Sequence, residues 1–168
     1  IKILNSSFIN NVARSYGGAI YTDVAITIIN CSFIKNTARE NHGGAIYSYG
    51  SSTSVFNSLF VENTANSGGA FYGGQTGYVI RDSIFLNNTA TSTGYIISSA
   101  DGSNRVDANY NWFGNVWKNH NTNYVVSNLC EMDNWLFLNT TDDLNTIHIL
   151  TSSNINFKLF EYNETLQN

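Results

Sequence analysis

Short runs of alternating apolar and polar residues recur along the first hundred residues of the chain. One such run places apolar side chains at Ile26, Ile28, Cys31 and Phe33, with Asn30 at a bend between them. Alternation with period two, together with many β-branched and aromatic residues, predicts short β-strands. The runs lack the 3.6-residue spacing of amphipathic helices. The pattern therefore predicts an all-β protein.

The runs belong to a unit that recurs about four times, at spacings of 25 to 27 residues. Each copy has a β-branched residue, a phenylalanine, an asparagine and an alanine, followed by a glycine element that reads Gly-Gly-Ala-Ile-Tyr in the first two copies and Gly-Gly-Ala-Phe-Tyr in the third. Self-similarity at a fixed period of this length predicts a solenoid. The β-branched residues are Ile3, Ile28, Val55 and Ile80. The phenylalanines and asparagines are Phe8, Phe33, Phe60 and Phe85, and Asn11, Asn36, Asn63 and Asn88.

Three short strands per repeat, broken at Asn and at Gly-Gly, predict a right-handed, single-stranded parallel β-helix over residues 1–100. Its coils stack about 4.8 Å apart, so equivalent residues lie above one another. We therefore expect an internal stack of the four phenylalanine rings and a ladder of the four asparagine amides. The glycine pairs permit backbone angles that other residues avoid.

The fourth copy of the glycine element is weaker and reads Thr93-Gly94-Tyr95-Ile96-Ile97. Tyr95 stands where the other copies have alanine, and a large ring fits there most easily if the position faces outward. This alignment places Ile20, Ile46, Phe71 and Ile96 inside.

Beyond residue 100 the period is lost. Residues 101–134 are rich in aromatic residues, and we expect them to cap the open end of the helix, with a ligand-binding aromatic platform as the alternative. Residues 135–168 contain three predicted strands, which either complete the cap or open an immunoglobulin-like module. The clustered aromatic residues are Trp112, Phe113, Trp117 and Tyr124.

The composition limits the classes of binding partner that we expect. Charged residues make up 12% of the chain, the net charge is −4, and no basic run exists, so nucleic acid is not an expected partner. No stretch approaches the roughly 20 apolar residues that span a bilayer, so direct membrane insertion is not expected. The chain opens at Ile1 within a repeat, and we therefore expect it to be part of a longer protein.

Catalytic and metal chemistry are not expected, and no cofactor is implied. The carboxylates of the coils do not gather at one repeat position, and His42 has no histidine partner in the other repeats. Cys31 occupies a position that is Ser in the other repeats, which suggests a small inward side chain. A disulfide between Cys31 and Cys130 is the alternative. The carboxylates are Asp23, Glu40, Glu62 and Asp82.

Three tyrosines, Tyr21, Tyr47 and Tyr72, recur in register. If they face outward they form an aromatic ladder for a glycan, and if inward they are core, which is the more usual role of such stripes. Trp112 and Trp117 are further candidate glycan contacts. Five Asn-x-Ser/Thr sequons are candidate glycosylation sites: Asn5, Asn30, Asn87, Asn139 and Asn163.

The repeat resembles that of the adhesin-like surface proteins of methanogenic archaea, and its Phe-x-x-Asn and Gly-Gly-Ala-Ile elements also resemble those of chlamydial polymorphic outer-membrane proteins. Asn111-Trp112-Phe113-Gly114 is similar to the motif that closes the methanogen helices, although the proline that usually follows is absent. The resemblance implies an extracellular, cell-surface adhesin whose partners are glycans or surface proteins of another cell. The alternative is a carbohydrate-active β-helix, either a lyase, a glycosidase or a tailspike-like fragment.

Overall fold

The computed structural model describes residues 1–50, 52–74, 77–92, 96–100 and 106–114, and the backbone of strands at residues 130–131, 134–138 and 159–163. These residues form 21 strands in four sheets and contain no α-helix. Strands of successive coils pair in parallel and in register, so the sheets run the length of a solenoid. This confirms the predicted all-β parallel β-helix.

Each of the first four coils contributes one strand to each sheet. The first coil contains β1 (Lys2–Leu4), β2 (Ser7–Ile9), β3 (Val12–Ala13) and β4 (Ile20–Thr22). The second contains β5 (Ile26–Ile29), β6 (Ser32–Ile34), β7 (Thr37–Ala38) and β8 (Ile46–Ser48). The third contains β9 (Thr53–Phe56), β10 (Leu59–Val61), β11 (Thr64–Ala65) and β12 (Phe71–Gly73). The fourth contains β13 (Tyr78–Arg81), β14 (Ile84–Leu86), β15 (Thr89–Ala90) and β16 (Ile97–Ser99).

Two of the sheets continue past residue 100. Sheet A has the order β1-β5-β9-β13-β17-β19, and sheet B has the order β2-β6-β10-β14-β18-β20-β21. Sheets C (β3, β7, β11, β15) and D (β4, β8, β12, β16) end with the fourth coil among the described residues. The later strands are β17 (Val106–Asp107), β18 (Asn111–Trp112), β19 (Cys130–Glu131), β20 (Asn134–Leu138) and β21 (Leu159–Asn163).

The last strand of sheet B differs from the others because β21 pairs with β20 in the antiparallel direction. Both β20 and β21 overlap the segment in which the sequence predicts strands, since β20 includes Trp135 to Leu138 and β21 begins at Leu159. The remaining residues on which the choice between a cap and an immunoglobulin-like module depends lie outside the described residues.

The prediction of three strands per coil is wrong, because a second bend separates a fourth, two-residue strand. The first bend is the expected one, with positive φ at Asn5, Asn30, Asn57 and Asp82. The second has equally positive φ angles at Asn10, Lys35, Glu62 and Asn87. Left-handed backbone favours Asn or Gly, so the sequence does not indicate a bend at Lys35 or Glu62.

The core contains a stack of phenylalanine rings on sheet B. Adjacent ring centroids are 4.9 Å apart for Phe8–Phe33 and Phe33–Phe60, and 4.7 Å apart for Phe60–Phe85, with rings within 8° of parallel. Phe113 adds a fifth ring, 5.2 Å from Phe85. The sequence predicts Phe113 to belong to the capping segment, because the repeat period is lost beyond residue 100.

The outward placement of the alanines is wrong. Ala45 and Ala70 are fully buried. In the fourth coil Ile96 takes the alanine position, because its carbonyl accepts hydrogen bonds from the amides of Ala70 and Phe71, and Ile97 pairs with Phe71. The fourth copy is thus aligned one residue away from its alignment in the sequence, so the outward orientation inferred from Tyr95 is wrong. Tyr95 itself lies outside the described residues. Ile20, Ile46 and Phe71 do face the core.

Columns of polar side chains provide hydrogen bonds for the backbone at the bends. Asn36 donates from Nδ2 to Asn63 Oδ1 at 2.9 Å, Asn63 donates in the same way to Asn88 at 2.8 Å, and Asn11 donates to Asn36 at 2.9 Å. A second column uses small side chains, in which the amide of Ser58 donates to Ser83 Oγ at 3.0 Å. Asparagine thus pairs polar groups that would otherwise be buried without partners.

The two glycines of each Gly-Gly pair are needed for different reasons. Gly43, the first of its pair, has a φ of +73°, which L side chains rarely adopt. Gly44, the second, leaves no space for a side chain, since a Cβ would lie 2.0 Å from the carbonyl oxygen of Gly69 in the next coil. The coils can therefore approach closely only at glycine.

Cys31 is a free, buried thiol in the small-residue column, as its alignment with serine suggests. The strand containing Cys130, β19, is four strands along sheet A from β5, which precedes Cys31. Strands lie about 4.8 Å apart, a separation far beyond the reach of a disulfide. A Cys31–Cys130 bridge is therefore absent.

Candidate functional site: an aromatic face on sheet D

Tyrosines project outward from the centres of three adjacent strands of sheet D. Successive residues of a strand point to opposite faces, and the neighbours of Tyr47, Ile46 and Ser48, belong to the interior side. Tyr21 pairs in register with Tyr47, and Tyr47 with Tyr72. Their alternation with buried residues therefore places the tyrosine column on the outer surface of the solenoid.

The column is a continuous stack. The ring centroids of Tyr21 and Tyr47 are 5.4 Å apart with an interplanar angle of 11°, and those of Tyr47 and Tyr72 are 5.5 Å apart at 6°. In the fourth coil Ser98 takes this position beside Tyr72. The column thus contains one phenol ring per coil in the first three coils.

A second, shorter aromatic column lies beside the first, at the residue before each of the first two Gly-Gly pairs. Tyr16 occupies this position in the first coil and His42 in the second, with ring centroids 5.9 Å apart. His42 stacks on Tyr72 at 4.3 Å and 11°, and Tyr16 lies 4.7 Å from Tyr47 at 45°. The absence of a second histidine had suggested that His42 stands alone, but its partner at that position is a tyrosine.

Tyr49 completes the group, with its ring 6.3 Å from that of Tyr47. We call these six residues the aromatic face. Tyr21 is 55% exposed, Tyr49 42% and Tyr16 39%, whereas Tyr47 at the centre is 8% exposed. The face therefore has a desolvated centre and an accessible rim. Its members are Tyr16, Tyr21, His42, Tyr47, Tyr49 and Tyr72.

Burial keeps the face uncharged. Desolvation, reinforced by the neighbouring tyrosines, raises the pKa of Tyr47 to about 12, and burial likewise raises the pKa of Tyr72. Burial lowers the pKa of His42, whose Nδ1 is buried with no hydrogen-bond partner among the described residues. At neutral pH the phenols of Tyr47 and Tyr72 are therefore protonated and the imidazole of His42 is neutral, so an uncharged ligand suits this surface.

The other candidate contacts lie elsewhere. Trp112 is half-buried in β18 of sheet B and pairs with Ile84, so the structure does not bring it together with the tyrosines of sheet D. Trp117 lies outside the described residues.

The structure describes three of the five sequon asparagines in full. Asn5, Asn30 and Asn87 are exposed at bends. Asn30 Nδ2, the atom that would carry a sugar, donates to Asn5 Oδ1 at 2.7 Å. Asn163 lies in β21, where only the backbone is described, and Asn139 lies outside the described residues.

Several acids of the coils form ion pairs between coils. Glu40 Oε1 is 2.9 Å from Arg14 Nε, and Glu62 Oε2 is 3.5 Å from Lys35 Nζ. Across the described part of the chain, no three His, Cys, Asp or Glu side chains group as metal ligands. Nor does that part contain a helix with the length and apolarity to span a membrane.

Comparison with known proteins relates the first two coils to a known repeat. A profile of the Chlamydia polymorphic membrane protein repeat matches residues 5–23 and 30–49, which include five of the six residues of the aromatic face. This supports the resemblance to the chlamydial proteins and leaves the resemblance to methanogen adhesins without support. No curated protein and no solved structure matches the chain. The first two coils are thus similar to a repeat of chlamydial membrane proteins.

Proposed function

We propose that this chain is a surface-exposed β-helical module of a cell-surface, adhesin-like protein, and that it binds glycans through the aromatic face. The similarity of the first two coils to the polymorphic membrane protein repeat supports surface display. The stacked coils supply a stiff scaffold on which side chains keep a fixed spacing. The expected setting is extracellular, and the expected partners are glycans or glycosylated proteins of another cell.

The aromatic face is the observation that carries this proposal. A large apolar side chain placed outward on three consecutive coils exposes surface that a soluble domain normally buries. Tyrosine combines a rigid apolar ring with a hydroxyl that donates and accepts hydrogen bonds, which matches the mixed apolar and polar surface of a sugar. The ring cluster is also continuous, so it can contact several sugar units at once.

We further propose that the module binds without catalysis. A hydrolase or lyase needs carboxylates or bases that converge on one bond of the substrate. Glu40 and Glu62 instead face basic partners in the neighbouring coil, and Asp107 pairs with Arg81 between the fourth coil and β17. Incubation with pectins and host glycans, followed by assay for new reducing or unsaturated ends, tests this point, and turnover lost on acid substitution would refute it.

A glycan array probed with the labelled chain, followed by calorimetry on the hits, tests the binding function. The double variant Tyr16→Ala/Tyr21→Ala removes two exposed rings of the face and should weaken binding roughly tenfold or more, as expected for a loss of about 1–2 kcal/mol of ring contact. Val12→Ala, an exposed position on sheet C, is the control and should bind like the wild type. Undiminished binding by the double variant, or an array without hits, would contradict the proposal.

A further inference from the structure

The stacking of the tyrosine column decides which part of each ring a ligand can reach. Tyr47 lies between Tyr21 and Tyr72 with both ring planes nearly parallel to its own, and Tyr16 packs against it at 4.7 Å. The ring of Tyr72 is covered by His42 at 4.3 Å. Neighbouring rings thus cover both faces of Tyr47 and one face of Tyr72, so the centre of the column offers a ligand ring edges and hydroxyls rather than ring faces.

The hydroxyls of the column are available. No hydrogen bond from Tyr21, Tyr47 or Tyr72 is made within the part of the chain that the structure describes, in contrast to Tyr78, whose hydroxyl donates to the carbonyl of Ser48 at 3.0 Å. None of the three hydroxyls is among the buried polar atoms that lack a partner, so each reaches solvent. One phenol hydroxyl per coil is therefore free to donate to, and accept from, a ligand.

We propose that the tyrosine column binds an extended, uncharged, β-linked polysaccharide lying along the solenoid axis, with one sugar unit per coil held by hydrogen bonds to the phenol hydroxyls. This inference rests on the proposed glycan-binding function and names its ligand class and mode of contact. The ring spacings of 5.4 and 5.5 Å are comparable to the length that one pyranose unit adds to an extended β-1,4-linked chain. An α-1,4-linked glucan coils and cannot keep this register.

The electrostatics of the face select against charged sugars. The six residues carry no permanent charge, and Tyr47 is almost completely desolvated. A carboxylated or sulfated sugar would lose water there without gaining a cationic partner, which is costly. Among the described residues the column spans three coils and gives way to Ser98 in the fourth, so its three tyrosines match three consecutive sugar units.

Calorimetry with neutral oligosaccharides tests the ligand class. Cello- and chito-oligosaccharides from the disaccharide to the hexasaccharide are compared with malto-oligosaccharides of the same lengths. We expect the affinity of the β-linked series to rise steeply up to the trisaccharide and then level off, and the malto-oligosaccharides to bind at least tenfold more weakly. Equal affinity of the α-linked series, or a continued rise beyond three or four units, would overturn the inference.

Tyrosine-to-phenylalanine variants test the mode of contact, since they keep the ring and remove the hydroxyl. Tyr47→Phe should lower the affinity for the β-linked trisaccharide roughly five- to tenfold, the usual effect of one lost hydrogen bond. Tyr110→Phe, which removes a hydroxyl near Arg81 and away from sheet D, should leave it unchanged. Circular dichroism checks that each variant is folded.

The outcomes separate the two proposals. If Tyr47→Phe binds as well as the wild type while Tyr16→Ala/Tyr21→Ala does not, the face binds glycans by stacking, and the hydroxyl mechanism is overturned while the proposed function stands. If neither the β-linked series nor any glycan of the array binds, the proposed function falls and this inference falls with it.

Discussion

The asparagine column shows how much one side chain contributes at a bend of the solenoid. The sequence predicted amide-to-amide contacts, and the structure adds contacts to the backbone. Asn63 donates from Nδ2 to the carbonyl of Phe33 at 2.9 Å, and its Oδ1 accepts from the amide of Asn36 at 2.9 Å. Aspartate lacks the donor and glutamine is longer by one methylene group. Asparagine is therefore required where the column is buried.

Asn63→Ala should destabilise the protein by about 3 kcal/mol, because it leaves the carbonyl of Phe33 and the amide groups of Asn36 buried with fewer partners. Chemical denaturation followed by circular dichroism measures the change. Asn11→Ala is the matched control: Asn11 belongs to the same column, but it is exposed, and its backbone amide keeps its bond to Asn36 Oδ1. A loss there of more than about 1 kcal/mol, or equal losses in the two variants, would argue against this account.

At the level of strands, the sequence revealed those with alternating side chains and missed those defined by the backbone. Sheet C consists of two-residue strands, which are too short to show an alternation of apolar and polar residues. The bend before it occurs at Lys35 and Glu62, whose positive φ costs roughly 1–2 kcal/mol. Hydrogen bonds between coils help to offset this cost, such as that from the amide of Lys35 to the carbonyl of Val61 at 2.9 Å.

The aromatic face could be predicted only in part, because alignment of the repeats detects residues that recur in type. Tyr21, Tyr47 and Tyr72 repeat in type, so alignment revealed their column. Tyr16 and His42 share a repeat position but differ in type, so a search for identical residues missed them, although both immediately precede a Gly-Gly pair. Their aromatic character at one repeat position was the signal that could have identified the second column.

The lowered pKa of His42 makes the stability of the aromatic face depend on pH. The unfolded chain binds a proton near the ordinary value of 6.5, and the folded chain does so only at lower pH. Between these values the unfolded state binds more protons, so stability decreases as the pH falls through 6.5. The rings around the imidazole are those of Tyr16, Tyr47 and Tyr72, and the raised pKa values of Tyr47 and Tyr72 keep these two phenols neutral in this range.

His42→Phe should reduce this acid sensitivity, because it keeps an aromatic ring and removes the titrating group. Melting temperatures of the two proteins, recorded from neutral pH to mildly acidic pH, measure the difference. His120 and His148 are present in both proteins, so the comparison isolates His42. Parallel pH profiles for the wild type and the variant would show that the imidazole contributes nothing to the dependence.

At the scale of the molecule, the repeat predicts the architecture only over the part of the chain in which its characteristic residues recur. Four copies of the unit identified the solenoid and the direction of its sheets. Beyond residue 100 Phe113 keeps the ring position, but Asn111 takes the small-residue position. The amide of Ser83 donates to Asn111 Oδ1 at 2.9 Å, as the amide of Ser58 does to Ser83 Oγ. The hydrogen bond is therefore kept at this position although the residue type changes, which hides the fifth copy from a search for identical residues.

A solenoid in which each coil contacts only its neighbours should open from its ends. The amides of Asn10 and Lys35 provide a matched pair to test this, because each donates to the next coil over 2.9 Å, to Ile34 and Val61 respectively. Among the described residues, the first coil pairs with one neighbouring coil and the second pairs with two. In this 168-residue chain, we expect the Asn10 amide to exchange with solvent deuterium roughly ten times faster or more, which corresponds to about 1.4 kcal/mol.

Hydrogen exchange measured residue by residue under native conditions gives both rates. If protection followed the local hydrogen bond alone, the two amides would exchange at equal rates, and stability would not be transmitted between coils. Gly17 and Gly43 repeat the comparison, since their amides donate to His42 at 3.1 Å and to Ser67 at 3.0 Å. Agreement of both pairs would show that a coil draws its stability from its neighbours, which the one-sugar-per-coil spacing of the tyrosine column requires if it is to persist in solution.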